Sequence, residues 1–314
     1  MFRKLEGVVV KKSTAYAYLS IISLLSCVAI LSSPSGYLVA KEGPVIKYKV
    51  QPSSQEVSQG MYGVTTVSYE KASKARVILE SIKGRKVVPE STPNFNASKA
   101  EMENSKSVAY AVVDNILHGT NPQIALEITD VKAGSQAALL EIKQYDRIDM
   151  INGKPVNSGS IKEINEKKPL KLLIKDLKGY TREVEVTNTR PLGILIREQV
   201  LTGNPITEIN TGKVGGSSGG LVLALYILDL RTPGDLTSGL KIAGSGSLNS
   251  DGTVGRVNRV DLKYSAALKE GFDIFFTSQK ELNGKKVVHV ETVLQALKEL
   301  CQRGSKIACT YTKM

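Results

Sequence analysis

The chain has no tryptophan, only two histidines and three cysteines, and just 5% of its 314 residues are aromatic. Each scarcity removes a class of function. With His118 and His289 as the only histidines, a histidine-built metal centre is not expected. Cys27, Cys301 and Cys309 form no Cys-x-x-Cys pair, which argues against a zinc ribbon or a dithiol redox motif. Cys301 and Cys309 are either a disulfide in an oxidising compartment or two buried thiols; spacing does not choose between these. A phosphate loop G-x-x-x-x-G-K-[ST] is also missing. Lys213 follows Gly212, but the upstream glycine spacing is wrong, so no ATP-driven step is expected. Finally, no aromatics interleave with the basic residues as in RNA or DNA binders. The net charge of +12, from 42 Lys and Arg against 30 Asp and Glu, therefore reads as solvated surface suited to an anionic envelope rather than nucleic acid.

What the chain does have begins with an uncharged run from Ser13 to Ala40, most apolar over Tyr16 to Leu31 and preceded by Arg3, Lys4, Lys11 and Lys12. A run of this length predicts a helix crossing a bilayer of roughly 30 Å, with the basic tail in the cytoplasm and the rest outside. A cleaved signal peptide lacks a small-x-small site after the core. Acylation at Cys27 is disfavoured by the apolar residues that continue to Leu31. A retained signal anchor is the expectation. Beyond it, Lys41 to Pro52 reads as an extended stalk. Met61 to Tyr69 alternates as a strand does, and Ser91 to Ser98 reads as a loop. A helix follows, with Ser98 as N-cap, Glu101 three residues on and Gly119 past its end.

From Ile124 to Val186 the pattern is short strands with one helix over Gln136 to Leu140 and a hairpin turn at Asn152-Gly153. The stretch "ALEITDVKAGSQAALLEIKQYDRIDMINGKPV" resembles the PDZ domain of bacterial peptidases. Asp146 matches the aspartate of that family's Gly-Asp-x-Ile element, with Tyr145 in place of the glycine. The resemblance implies binding of an extended peptide by strand addition; a β-rich domain without a peptide ligand is the plainer alternative.

Chemistry is suggested by "GKVGGSSGGLVLALYILDL", in which a glycine-serine cluster leads straight into an apolar helix. The cluster reads either as a flexible spacer or as a sharp turn exposing Ser218 at a helix N-terminus, where backbone N–H groups stabilise an oxyanion. A serine nucleophile needs a base. His289 is formally available, but the polar segment "TEINTGKV" before the cluster is a poor match for the buried strand that precedes a hydrolase elbow. A lysine base must be buried to lose its proton near neutrality. Lys263, near the start of a helix with Ala266 and Ala267 and followed by the apolar "DIFF", suits that role. Lys269 would point to a different side of the helix.

These residues resemble the Lon-type serine/lysine peptidases, specifically a membrane-anchored, PDZ-containing bacterial branch, from about Pro191 to the C-terminus. Gly215-Gly216-Ser217-Ser218-Gly219-Gly220 stands where that family has Gly-Gly-Pro-Ser-Ala-Gly. Ser245-Gly246 stands for its Thr-Gly, Asp251-Gly252-Thr253-Val254-Gly255 for its Asp-Gly-x-Val-Gly, and the catalytic lysine falls on Lys263. Ser217 replaces the proline, Ser245 the threonine, and Asn258-Arg259 a Gly-Gly pair. The resemblance implies Ser218 as nucleophile, Lys263 as base, Ser245 orienting the lysine, and amides about Gly216 and Gly219 as oxyanion donors. Asp261 is expected to be an ordinary helix N-terminal acid.

The fold class expected is α+β, with a transmembrane helix, a PDZ-like β-rich domain and a Lon-type α/β proteolytic domain. The domains expected are a cytoplasmic tail over 1–12, an anchor over 13–33, an extracytoplasmic region over 40–118, a PDZ-like domain over 119–189 and the proteolytic domain over 190–314. A strand near Val64 to Ser68 could complete the peptidase sheet and make the PDZ-like domain an insertion. The function expected is an ATP-independent, membrane-anchored serine endopeptidase acting outside the bacterial plasma membrane. Its partners are protein or peptide substrates and that membrane, with no nucleic acid and no cofactor; a homo-oligomer is left open. An inert PDZ-type scaffold is the alternative from a different class.

Overall fold

A computed structural model describes residues 12–49, 60–85, 87–91, 95–166, 169–187, 190–201, 209–212 and 214–312. In chain order its first elements are α1 (Lys12–Ser32), β1 (Pro34–Lys49), β2 (Met61–Ser73), α2 (Lys74–Ile82), β3 (Val87–Pro89) and α3 (Phe95–His118). Next come β4 (Ile124–Val131), α4 (Gln136–Leu139), β5 (Arg147–Ile151), β6 (Lys154–Pro155), α5 (Ser160–Glu166), β7 (Leu170–Lys175), β8 (Thr181–Val186) and β9 (Ile194–Val200). A 3₁₀ turn (Ser217–Gly219) then opens α6 (Gly220–Arg231), followed by β10 (Lys241–Gly244), β11 (Ser247–Leu248), β12 (Val254–Gly255), α7 (Val260–Lys269), β13 (Ile274–Thr277), β14 (Val287–His289), α8 (Val293–Gln302) and α9 (Lys306–Tyr311). The architecture is α+β with several sheets.

Two compact units divide the chain: residues 1–41 with 67–94, and residues 42–66 with 95–314. The first holds α1, α2 and the antiparallel pairing of β1 with β3 at Tyr37 to Val39. Ser73 caps α2 by accepting the Arg76 amide, and the buried Glu80 is held between Arg76 and Arg85.

The transmembrane anchor expected over 13–33 is corrected here: among the described residues, no helix is long and apolar enough to cross a membrane. The uncharged run does not stay helical. It leaves the helix after Ser32 and enters β1 at Pro34, so its last residues are strand. Within α1 the apolar surface is interrupted by Tyr16, Tyr18, Ser20, Ser23 and Ser26, whereas a crossing needs roughly 20 predominantly apolar residues. The Ser20 and Ser26 hydroxyls turn back onto the carbonyls of Tyr16 and Ile22. Most of the tail over 1–12 lies outside the described residues. The stalk expected from Lys41 is β1 as far as Lys49, because that segment pairs with β2.

In the second unit, β2, β10, β13 and β14 run parallel, with Ala243 between Gly63 and Phe275, and Val288 beside Phe276. Strand β2 thus supplies a neighbour to a strand about 180 residues later in the chain, and everything from β4 to β9 is inserted between them. The core against this sheet is built from α6, buried on almost every side, with α3 and α8. A uniformly apolar helix is stable only when surrounded, which accounts for the unbroken "LVLAL" of α6.

The inserted part is an antiparallel sheet in the order β8-β7-β5-β4-β9, with β6 pairing β5 around the left-handed turn Asn152-Gly153. It has its own core of Leu126, Ile128, Ile148, Ile164, Leu170, Leu172 and Ile174. The boundary differs from the expectation at 190. Residues Ile194–Val200 form the edge strand of this sheet through pairing with β4, because their alternating apolar side chains complete its core. The helix expected from Ser98 begins at Phe95 and ends at His118 with Gly119 in the left-handed region. Ser98 is not a cap, since it lies inside the helix, and its carbonyl accepts the Gly216 amide at 2.7 Å.

Candidate active site

The glycine-serine cluster is a turn, not a spacer. Gly216 has φ +94°, which a side chain rarely tolerates, and Ser217–Gly219 form one 3₁₀ turn that runs into α6. A Cβ on Gly220 would lie 2.8 Å from Leu248 Cβ, so the glycine allows β11 to approach the helix start. The turn is fastened from α3 as well, since the Ser105 hydroxyl donates to the Ser217 carbonyl at 3.2 Å. Ser217 is exposed and Ser218 half-buried.

Opposite the turn, β10 ends at Gly244 and delivers Ser245 into a buried position, 1% exposed. Its amide donates to the Phe276 carbonyl at 2.9 Å, which fixes it to the end of β13. The next residue, Gly246, donates its amide to the Ser218 carbonyl at 2.9 Å, and the Ser245 hydroxyl donates to the same carbonyl at 3.3 Å. Asp251–Gly255 holds this loop in place. Asp251 accepts from the Thr253 amide and hydroxyl at 2.9 and 2.6 Å, and Val254-Gly255 returns as β12 against β11.

Lys263 is on the inward face of α7, together with Val260, Ala266 and Ala267, and is 5% exposed. Its Nζ donates to Ser245 Oγ at 3.1 Å. Burial pulls its pKa down from 10.5 to about 8, because the ammonium loses hydration. Ser218, Ser245 and Lys263 are therefore brought together, with Ser245 joining the other two. Among the described residues no hydrogen bond runs directly from the Ser218 hydroxyl to Nζ. Catalytic hydrogen bonds are commonly loose before substrate arrives and tighten with it.

Of the two glycines expected to supply oxyanion donors, Gly216 does not: its amide is committed to the Ser98 carbonyl. Gly219 is buried in the turn at the start of α6, where the first amides lack helical partners. His289 is not placed as a base. It ends β14 on the exposed side, with Nε2 3.0 Å from the Leu282 carbonyl. Lys269 turns outward to pair with Glu42. Asp261 is in the first turn of α7 and pairs with Arg259 at 3.4 Å. Among the described residues, no group of three or more His, Cys, Asp or Glu is arranged to hold a metal ion. Cys301 and Cys309 form a disulfide between α8 and α9.

Sequence reasoning missed Glu198. It is buried on β9, 6% exposed, and its Oε2 accepts the Ser250 amide at 2.7 Å, binding the inserted sheet to the turn between β11 and β12. Burial raises its pKa, and the Ser250 bond opposes that rise. The signal was available: in "ILIREQV" the alternation puts Glu198 on the same face as Ile194, Ile196 and Val200. Neither a known protein family nor a curated protein matches the chain.

Proposed function

We propose that the chain is an ATP-independent serine endopeptidase of Lon-like type, using Ser218 and Lys263 as a dyad on unfolded or small, flexible protein substrates. The observation that carries this reading is the burial of a lysine with no carboxylate partner among the described residues, hydrogen-bonded to a serine that also grips the Ser218 turn. A purely structural lysine would be costly to bury in this way. Two departures from the family pattern lend support. Tyr145 stands where the PDZ pattern has glycine and Arg259 where the Lon-like pattern has one, and both have left-handed backbone, φ +71° and +54°, the conformation glycine serves best.

In the proposed reaction, neutral Lys263 takes the Ser218 hydroxyl proton as the oxygen attacks the scissile carbonyl. The amides at the start of α6 hold the resulting oxyanion. Lys263 then gives its proton to the departing amine, leaving an acyl-enzyme. A water molecule, deprotonated by the same lysine, releases the acyl group and restores Ser218. Ser245 keeps Nζ aimed at the turn. The Cys301–Cys309 disulfide favours an oxidising, extracytoplasmic setting.

One observation favours a second reading, an inert scaffold that binds through the inserted sheet: the Ser218 hydroxyl and Nζ are not directly bonded. Casein digestion by the wild-type chain, Ser218→Ala, Lys263→Ala and His289→Ala separates the readings. The dyad predicts cleavage by wild type and His289→Ala alone. Inactive wild type supports the scaffold, and cleavage by all four sinks the dyad.

A further inference from the structure

A cleft of about 280 Å³ lies between the inserted sheet and the Ser218 turn. Its walls include Ile196 and Glu198 of β9, Glu101 and Asn104 of α3, Ser217, and Asn249 after β11. Ser217 adjoins Ser218 in the chain, with consecutive Cα atoms about 3.8 Å apart, so the cleft opens beside the proposed nucleophile. The walls bear two carboxylates. The cationic side chain among them, Arg197, is already held by Glu127 through three hydrogen bonds of 2.9 to 3.1 Å.

Glu198 is the unusual member. Of its two carboxylate oxygens, Oε2 accepts from the Ser250 amide, while Oε1 is fully buried with no hydrogen-bond partner among the described residues. Its backbone carbonyl accepts from Asn104 Nδ2 at 2.8 Å, which ties the strand to α3 at this residue. A buried acceptor left without a donor is costly, and native proteins seldom keep one without a use. A donor from outside the chain would remove the cost.

We infer that this cleft is a specificity subsite for a basic side chain, lysine or arginine, of a protein substrate, with the Glu198 carboxylate as its receptor, its buried Oε1 uncovered as the side chain enters, and Glu101 as a second carboxylate at the wall. The inference rests on the peptidase reading for the word substrate, but not for the binding itself. The long apolar stem of such a side chain would lie along Ile196, and its charged end would reach the carboxylate. A charge-assisted hydrogen bond inside a cleft is among the stronger polar contacts, and it gives planar or point-like cations an advantage over neutral chains of the same length.

The test uses the full chain carrying Ser218→Ala, so that binding is read without turnover. Fluorescence anisotropy would follow labelled unstructured peptides that differ at a single position, as lysine, arginine, norleucine or glutamate. Lysine and arginine peptides should bind about tenfold tighter than norleucine, the worth of one such bond. Adding Glu198→Gln, which keeps an acceptor for the Ser250 amide, should reduce that preference to about twofold or less while norleucine binding stays unchanged. Glu101→Gln, on α3, should reduce it part-way and serves if the first variant folds poorly. Equal binding of lysine and norleucine peptides overturns the inference, as does a basic preference that survives both substitutions together. Cleavage sites in casein, mapped by mass spectrometry with Ser218 restored, separate the two levels. Cleavage without a basic preference refutes the subsite and leaves the dyad standing. Basic-selective binding with no cleavage supports the subsite and refutes the peptidase.

Discussion

Replacing Lys263 by methionine should make the protein more stable at neutral pH, and the size of the gain follows from burial. The folded-state pKa is about 8 against 10.5 for an ordinary lysine. A difference of roughly 2.5 units corresponds to about 3 kcal/mol between charged and neutral forms. The unfolded chain holds its lysine proton up to about pH 10.5, while the folded chain releases it near pH 8. Between these values the unfolded state binds more protons, so stability rises with pH across that window. Below pH 8 the full penalty is present, and above 10.5 it is gone. Methionine fills similar space without charge but forfeits the bond to Ser245 Oγ, a loss of about 1 kcal/mol. The net gain expected at pH 7 is therefore about 2 kcal/mol, shrinking to nothing or a small loss near pH 10.5. Urea unfolding of wild type and Lys263→Met at both pH values, followed by circular dichroism since the chain has no tryptophan, measures the difference directly. Groups common to both proteins cancel. A variant that is destabilised equally at pH 7 and pH 10.5 refutes the claim that a desolvated lysine occupies this site.

Three other outcomes follow from named contacts. Peptidase activity should climb about tenfold from pH 7 to 9, as the neutral fraction of Lys263 goes from roughly 9% to 91%, and a rate flat over that range contradicts a lysine base. Ser217→Pro should keep activity and add up to about 1 kcal/mol to the unfolding free energy, since the residue opens a helical turn and Gly216 has ψ 157°, which a following proline accepts. Reduction of Cys301–Cys309, eight residues apart, should lower stability by about 2.5 kcal/mol on the chain-entropy account, read as a shift in the urea midpoint against Cys301→Ser/Cys309→Ser.

Much of the geometry around Ser218 and Lys263 was legible because it is built from uncommon local patterns. A lysine followed by small residues on a helix is a visible departure from surface lysines, and Gly-Gly-Ser-Ser-Gly-Gly before an apolar run marks a tight turn once the run is read as a buried helix. The partners of these residues were harder to see. That Ser98 and Ser105 of α3 secure the turn depends on a contact over more than 100 positions, and no local pattern announces it. The oxyanion role expected of Gly216 fails for the same reason: its amide is used by Ser98. The start of α3 was misread because Ser98 has cap chemistry, whereas the helix already begins at Phe95. The assignment of Ile194–Val200 went astray because alternation identifies a strand but not the sheet it joins. Composition misled most at the N-terminus, where an uncharged stretch looked continuous but divides between α1 and β1 at Ser33-Pro34. Pairing of Cys301 with Cys309 was undecidable from spacing, since it depends on how α8 and α9 turn at Gly304.

The most direct test of the dyad is to trap the acyl-enzyme. Wild type, Ser218→Ala and Lys263→Ala would be mixed at pH 8 with an activated peptide ester, quenched in acid and digested, and the acylated residue located by mass spectrometry. The dyad predicts acylation of Ser218 in wild type, none in Ser218→Ala, and a rate at least about a hundredfold lower in Lys263→Ala. Acylation of another residue, or of Ser218 at an undiminished rate without Lys263, contradicts it.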